Sequence, residues 1–273
     1  MTKRTAMADD ARVPAIITLT TDFGVGSRYV AAMKGVILSI NPAVKLVDLS
    51  HAVPHQDIRT GAIVLAETAR WFPPNTIHLA VVDPGVGSSR RIVYARIGAQ
   101  QFIAPDNGLL SRLAMLEQPS KIVCLNEPRF WLNDVSPTFH GRDIMAPAAA
   151  RLSLGLSPDE LGQPLDRLIE LSWPEVQRVP NRIEGAVVEV DSFGNLITNI
   201  KREMLHGVPT SEVVVVKCEQ HETHGIYSTY SDQPSMTLMA HVGSTGRLEL
   251  AVVDENASAM LGVKVGAPVS VTW

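Results

Sequence analysis

Four polar clusters in this 273-residue chain have the residue types that chemistry needs. The first is Val81-Val82-Asp83-Pro84-Gly85-Val86-Gly87-Ser88-Ser89-Arg90-Arg91, with a carboxylate at Asp83 and a guanidinium at Arg90. The second is Asp22, in Thr21-Asp22-Phe23-Gly24. The third joins His140 to Arg142 and Asp143, and the fourth is Asp191-Ser192-Phe193-Gly194-Asn195. Aspartate, arginine and histidine together can prepare a water for attack. A guanidinium stays protonated and stabilises a developing hydroxide. A histidine with an ordinary pKa of about 6.5 accepts or relays a proton. A carboxylate orients either one. Three of the clusters also have a plainer reading: an Asp-Pro-Gly turn with surface arginines, a helix-capping or core histidine, a Gly-Asn turn.

The surrounding pattern puts the first two clusters at strand ends. Residues 15–20, 44–49 and 77–82 are β-branched, apolar runs that read as strands. Between them, Tyr29, Met33, Val36, Ile37 and Ile40, and then Ile58, Ala62, Leu65, Ala66 and Ala69, recur at helical spacing. Alternating strands and helices argue a mostly parallel sheet with helices on its faces. Asp22 and Asp83 then lie at the carboxyl ends of strands, where open α/β sheets bind ligands. Residues 92–97 and 101–104 form a predicted hairpin about Gly98-Ala99, and 121–125 a further strand. Phe139-His140-Gly141-Arg142-Asp143 opens an alanine-rich helix over 144–154, with Pro147 tolerable only in its first turn.

Composition changes near residue 172. Residues 1–14 read as a polar tail, 15–172 as an α/β domain, 173–182 as a linker and 183–273 as a smaller all-β domain, a barrel or a sandwich. Its predicted strands are 183–190, 212–217, 225–230, 247–253 and 268–273, with His221 and His224 in a solvated loop. A formal charge of −4 and the lack of a basic-aromatic patch argue against a nucleic-acid partner. No apolar run reaches a membrane span, the start has no apolar leader core, and a soluble cytoplasmic protein is expected. Cys124 and Cys218 suggest neither a disulfide framework nor a cysteine metal site. His51, His55 and Asp57 have ligand-type side chains, but Pro54 interrupts any shared helix face, so loop hydrogen bonding is favoured over a metal. No dinucleotide or Walker A glycine pattern is present.

The order of the motifs is more specific than any one of them. T-T-D-F-G, Y-V-A-A-M-K-G, D-L-S-H, V-V-D-P-G-V-G-S-S-R, A-P-D-N-G-L-L, F-H-G-R-D and D-S-F-G-N-L-I-T-N together resemble the SAM hydroxide adenosyltransferase family, relatives of the SAM-dependent fluorinase and chlorinase. The resemblance covers the chain from about residue 15 onward. It implies an N-terminal α/β domain and a C-terminal β-barrel. It further implies a homotrimer or dimer of trimers with inter-subunit active sites, and hydrolysis of S-adenosyl-L-methionine (SAM) to adenosine and L-methionine. SAM is then the substrate, and neither cofactor nor metal is implied. The catalytic set carries over to Asp83, Arg90 and His140. Asp22 carries over as the ribose ligand, Asp191 and Ser244 as contacts for the methionine ammonium and carboxylate, and Asn195, Asn256 and Ala257 as adenine contacts. The halogenases carry aromatic residues at the positions of Asp83 and His140; the fluorinase has a serine at that of Gly141 and an insertion that is absent here. These departures favour water over halide. A halogenase and a non-catalytic SAM or adenosine sensor are the alternatives.

Overall fold

The structure, a computed structural model, describes residues 14–273. The expected tail over 1–14 lies, apart from Pro14, outside the described residues. The chain divides between Leu171 and Ser172 into two compact units.

The first unit is built on a six-stranded mixed sheet. In chain order its elements are β1 (Ile16–Thr21), α1 (Arg28–Ile40), β2 (Lys45–Ser50), α2 (Ile58–Thr68), β3 (Ile77–Val81), β4 (Ile92–Ile97), β5 (Gln100–Pro105), α3 (Ser111–Leu116), β6 (Pro119–Cys124) and α4 (Ala146–Ser153). The strand order is β2-β1-β3-β5-β4-β6. The first four in that order run parallel, and β4 pairs antiparallel with both β5 and β6. The β3 side chains show why the run is apolar but for His78: Ile77, Leu79 and Val81 pack into one core with α1 and α4, while Ala80, followed by Val82, packs into another with α2 and α3. A strand covered on both faces has no polar side to show. Residues 144–154 are not one helix. Gly141–Met145 is a single π turn, and α4 continues from it, with Pro147 in its first turn.

The second unit contains β7 (Gln177–Val179), β8 (Arg182–Val190), β9 (Leu196–Lys201), β10 (Val215–Cys218), β11 (His221–His224), β12 (Leu238–Val242), β13 (Arg247–Val252), the short helix α5 (Ala257–Leu261) and β14 (Pro268–Thr272). The order is β11-β10-β14-β8-β9-β13-β12, antiparallel throughout, with β7 beside β8. β8 turns the corner: it pairs with β14 over residues 182–186 and with β9 from Val187 onward, with an irregularity between Val187 and Glu189. The edges are drawn together by Thr223 Oγ1 donating to the Leu238 carbonyl at 2.7 Å and Tyr227 N to the Ala240 carbonyl at 2.8 Å. The result is a nearly closed barrel around Ile183, Leu196, Ile200, Val216, Leu248 and Val271, not a sandwich.

Three expectations for this unit change. Residues 225–230 form no strand; Gly225, at a φ of +82°, ends β11. Residues 221–224 are β11, with Thr223 buried, rather than a solvated loop. The stretch taken as a linker contains β7, which is exposed along its length and so left no apolar signal. Both β9 and β12 escape the sequence reading as strands.

Candidate functional site

Thr21 pairs with Val81 across β1 and β3, so Asp22 and Asp83 emerge side by side at the carboxyl edge of two parallel strands. After Asp83 the chain makes two tight turns: Val86 N donates to the Asp83 carbonyl at 3.2 Å, and Ser88 N to the Gly85 carbonyl at 3.1 Å. Ser88 Oγ then accepts from Arg90 N at 3.2 Å. These turns bring the Arg90 guanidinium back onto the carboxylate. Arg90 Nε donates to Asp83 Oδ1 at 2.8 Å and Oδ2 at 3.0 Å, and Nη2 also donates to Oδ2. Such forked pairs fix geometry as well as charge. Both side chains are shielded, 10% and 5% exposed. The neighbouring Arg91 does a different job, pairing with buried Asp106, whose other oxygen accepts from Ile169 N at 2.8 Å.

Arg90 Nη2 also lies 3.0 Å from Nδ1 of His140. An arginine N–H can only donate, so Nδ1 accepts and the neutral ring carries its proton on Nε2. The His140 pKa is lowered from the ordinary histidine value, first by burial and then by the Arg90 charge, with Asp83 and Asp143 pulling weakly the other way. The imidazole is neutral near pH 7. Arg142 and Asp143 do not join this group. Asp143 is fully buried, bonds Arg142 and accepts from Ser136 N at 2.9 Å, which fastens the approach to the π turn.

Asp83 and His140 line a cavity of about 370 Å³, with Asp22, His55, Gln56 and Gly141 also on its wall. Arg90 is not among the lining residues; it joins the two from outside the cavity. Three mutually edge-on rings, Phe23, Tyr29 and Phe139, with centroids 5.3–6.0 Å apart, form the apolar side. A sequence shows no reason for these rings to meet. Asp22 is 8% exposed and Oδ2 accepts from Gln56 N at 2.8 Å. Of the three side chains weighed as a metal set, Asp57 and His51 have partners within the protein. Asp57 caps α2 through Thr60 N, His51 bonds Thr21, and His55 faces the cavity. Among the described residues no group of three His, Cys, Asp or Glu side chains is placed to hold a metal.

In the second unit Asp191 organises the β8–β9 turn. Oδ1 accepts from Phe193 N at 2.9 Å and Asn195 N at 2.8 Å, and Oδ2 from Asn195 Nδ2 at 3.0 Å. Asn195 lines a second cavity of about 510 Å³ with Phe193, Tyr230 and Asn256. The Asn256 side chain caps α5, accepting from Ala259 N at 2.7 Å, and packs over Gly194, where any Cβ would fall 2.1 Å from Asn256 Cγ. Ala257 is buried, and Ser244 is exposed in the turn between β12 and β13. The sequence reading missed Tyr230, His241 and Glu249. Tyr230 stacks edge-on against His241 at 4.6 Å, and His241 Nε2 lies 3.5 Å from Glu249. Burial, Glu249 and Asp191 raise the Tyr230 pKa. Only the alternation along β12 and β13 could have hinted at the two buried polar residues.

Residues 17–162 match the SAM hydroxide adenosyltransferase N-terminal domain, and residues 185–270 match the C-terminal domain of the same family. The chain belongs to the SAM hydroxide adenosyltransferase family. Within this family it is 37% identical over 94% of its length to an (R)-S-adenosyl-L-methionine hydrolase of Salinispora tropica, covering 97% of that protein. It is 38% identical to one of Thermus thermophilus, covering 91% of this chain and 96% of the relative. A fluorinase of Actinoplanes sp. is more distant, 29% identical over 68% of this chain and 72% of its own. A crystal structure of an uncharacterised conserved protein from Thermotoga maritima superposes with a TM-score of 0.89 at 34% identity, covering 94% of this chain and all of the other. In this adenosyltransferase-family chain, Gly141 leaves little space: a Cβ there would lie 3.3 Å from Val81 and 3.4 Å from Met33.

Proposed function

We propose that this enzyme hydrolyses SAM to adenosine and L-methionine, with Asp83, Arg90 and His140 as its catalytic set. The observation that carries the reading is the hydrogen-bonded line Asp83–Arg90–His140, whose two ends face the cavity beside Asp22. Asp22 holds the ribose hydroxyls, since a carboxylate offers two acceptors to a vicinal diol. Water sits between the Asp83 carboxylate and the His140 Nε2–H. Its oxygen bonds to C5′ as the C5′–S bond breaks, and the electron pair leaves on sulfur as neutral methionine. The departing water proton passes toward Asp83, because His140 already carries a proton on Nε2 and its Nδ1 is taken by Arg90. His140 thus orients the water, and Arg90 holds both partners at fixed separation. The sulfonium is an activated leaving group, so the displacement calls for no metal. A neighbouring subunit supplies the remaining contacts: Asp191 and Ser244 for the amino acid, Asn195 and the backbone at Asn256 and Ala257 for adenine. A homotrimer or dimer of trimers, and a cytoplasmic setting, complete the reading. Light scattering tests the assembly.

The deciding experiment incubates the purified protein with SAM, with and without EDTA and chloride, and separates the nucleosides by chromatography. Adenosine with equimolar methionine, unaffected by chelator, is the expected result. A 5′-chloro nucleoside, or SAM left unchanged, would overturn the proposal.

A further inference from the structure

Behind Asp22 runs a second line of polar side chains that takes no part in the chemistry above. The Thr21 hydroxyl lies 2.9 Å from His51 Nδ1. His51 Nε2 lies 3.0 Å from Asp48 Oδ1, close in distance but oblique for a hydrogen bond. Asp48 Oδ2 accepts from Lys34 Nζ at 2.6 Å. The direction of this line is settled by its ends. Asp48 can only accept, so the His51 proton sits on Nε2 and Nδ1 accepts from the Thr21 hydroxyl. Thr21 Oγ1 is then free to accept from Phe23 N, at 3.2 Å. The residue between Thr21 and Phe23 is Asp22. His51 also reaches the same loop through its backbone, its carbonyl accepting from Gly24 N at 2.9 Å. Its side chain is only 9% exposed, whereas Lys34 and Asp48, at 31% and 42%, remain partly in water. Burial opposes the Asp48 charge, but the Lys34 ammonium and the nearby His51 N–H outweigh it and hold its pKa below the ordinary value.

We propose that His51 is a positioning residue for Asp22: through the Thr21 hydroxyl and the Gly24 amide it fixes the turn after β1 and so sets where the Asp22 carboxylate meets a ribose diol. The proposal rests on Asp22 being the ribose ligand. Gln56 adopts a left-handed φ of +65°, and its N–H donates to Asp22 Oδ2. The Asp22 carboxylate is therefore held from two sides, by its own loop pinned at His51 and by the amide of Gln56. The acidic and basic groups facing His51 are Asp48 and, through it, Lys34.

The test compares His51→Ala, His51→Asn, Thr21→Val and Asp22→Asn by steady-state SAM turnover and by adenosine binding in calorimetry, with circular dichroism as the check on folding. Asparagine places an oxygen near the Nδ1 position, so it can keep the Thr21 bond while losing Asp48. His51→Ala is expected to weaken adenosine binding and raise KM by roughly three- to tenfold, the scale of one net hydrogen bond, with kcat within twofold. His51→Asn should restore most of the loss, and adding Thr21→Val to His51→Ala should cost little more. Unchanged adenosine binding in a folded His51→Ala protein, while Asp22→Asn binds weakly, would overturn the positioning role. Loss of kcat at unchanged KM would overturn it as well. Normal adenosine binding by Asp22→Asn would instead overturn the ribose assignment on which the role depends.

Discussion

Asp83 and Arg90 are seven positions apart and His140 is fifty further on, yet one guanidinium spans them. The arrangement makes the state of His140 a consequence of its neighbours. A protonated ring would turn an Nδ1–H against the Arg90 N–H, so activity should fall as pH drops through a value below the ordinary 6.5 of histidine. The ring titration followed by NMR should move up in Arg90→Gln, which removes a charge that lowers it. It should move down in Asp83→Asn, which removes one that raises it. An unmoved titration in both variants would break the electrostatic account. Turnover should separate two roles. Asp83→Ala should lose about a hundredfold or more in kcat with SAM still bound. Asp22→Ala should instead weaken adenosine about tenfold or more, as loss of hydrogen bonds to a charged group does. The identities of these residues were legible in the motifs. That Arg90 rather than Arg91 bonds Asp83 was not legible from spacing, because one residue along a chain reverses the side a guanidinium faces.

The elements that carry these residues are set by a few backbone requirements. Gly87 holds a φ of +80°, and a Cβ there would fall 2.4 Å from the Pro137 carbonyl oxygen, on the segment leading to His140. The loop of Arg90 and the approach to His140 thus touch through a position that has no room for a side chain. Gly87→Ala should cost about 1–2 kcal/mol of backbone strain and lower kcat severalfold by pushing the two segments apart. A variant with wild-type kcat and melting temperature would show that the contact does not matter. Ile144 and Met145, the end of the π turn over Gly141–Met145, were read as the start of the helix, since apolar spacing does not distinguish a five-residue wide turn from an α turn. The pair of half-exposed Arg142 with buried Asp143, and the Asp143 bond to Ser136 N, hold that turn.

At the scale of the molecule the two units differ in how their sequences announce them. In the first, buried β-branched strands alternate with amphipathic helices, and the order of elements follows directly. In the second, β7 and β11 are short and largely exposed, and the barrel closes through bonds from Thr223 and Tyr227 rather than through long apolar runs. Thr223→Val should therefore lower the melting temperature by a few degrees, a loss of about 1 kcal/mol. A further global property comes from His78, fully buried in β3, 2.8 Å from the Thr18 hydroxyl and stacked on Phe102 at 5.0 Å. Burial lowers its pKa to about 4, against a smaller pull from Gln100. The neutral ring is the folded form. Its stabilisation is complete above the unfolded value near 6.5 and is lost as pH falls toward 4, an effect of about 3 kcal/mol. Urea unfolding at pH 7 and pH 4.5 should show this loss in the wild type and a smaller one in His78→Gln. Equal losses would place the acid sensitivity elsewhere.

The sequence by itself determined the α/β alternation, the two-part organisation, the strand ends that expose Asp22 and Asp83, and the ordered motifs of the family. These are local or short-range properties: periodicity reports which face is buried, and glycine, proline and acidic residues mark where a strand must stop. Tertiary structure alone decided which cation meets which carboxylate, that His140 turns Nδ1 to Arg90, and that His51 bonds Thr21. It also decided that Tyr230, His241 and Glu249 meet on the face of β12 and β13 that looks away from the barrel core. Such pairings depend on distances between segments far apart in the chain. A buried polar group must find its partner there, and nothing in residue spacing says which partner is within 3 Å.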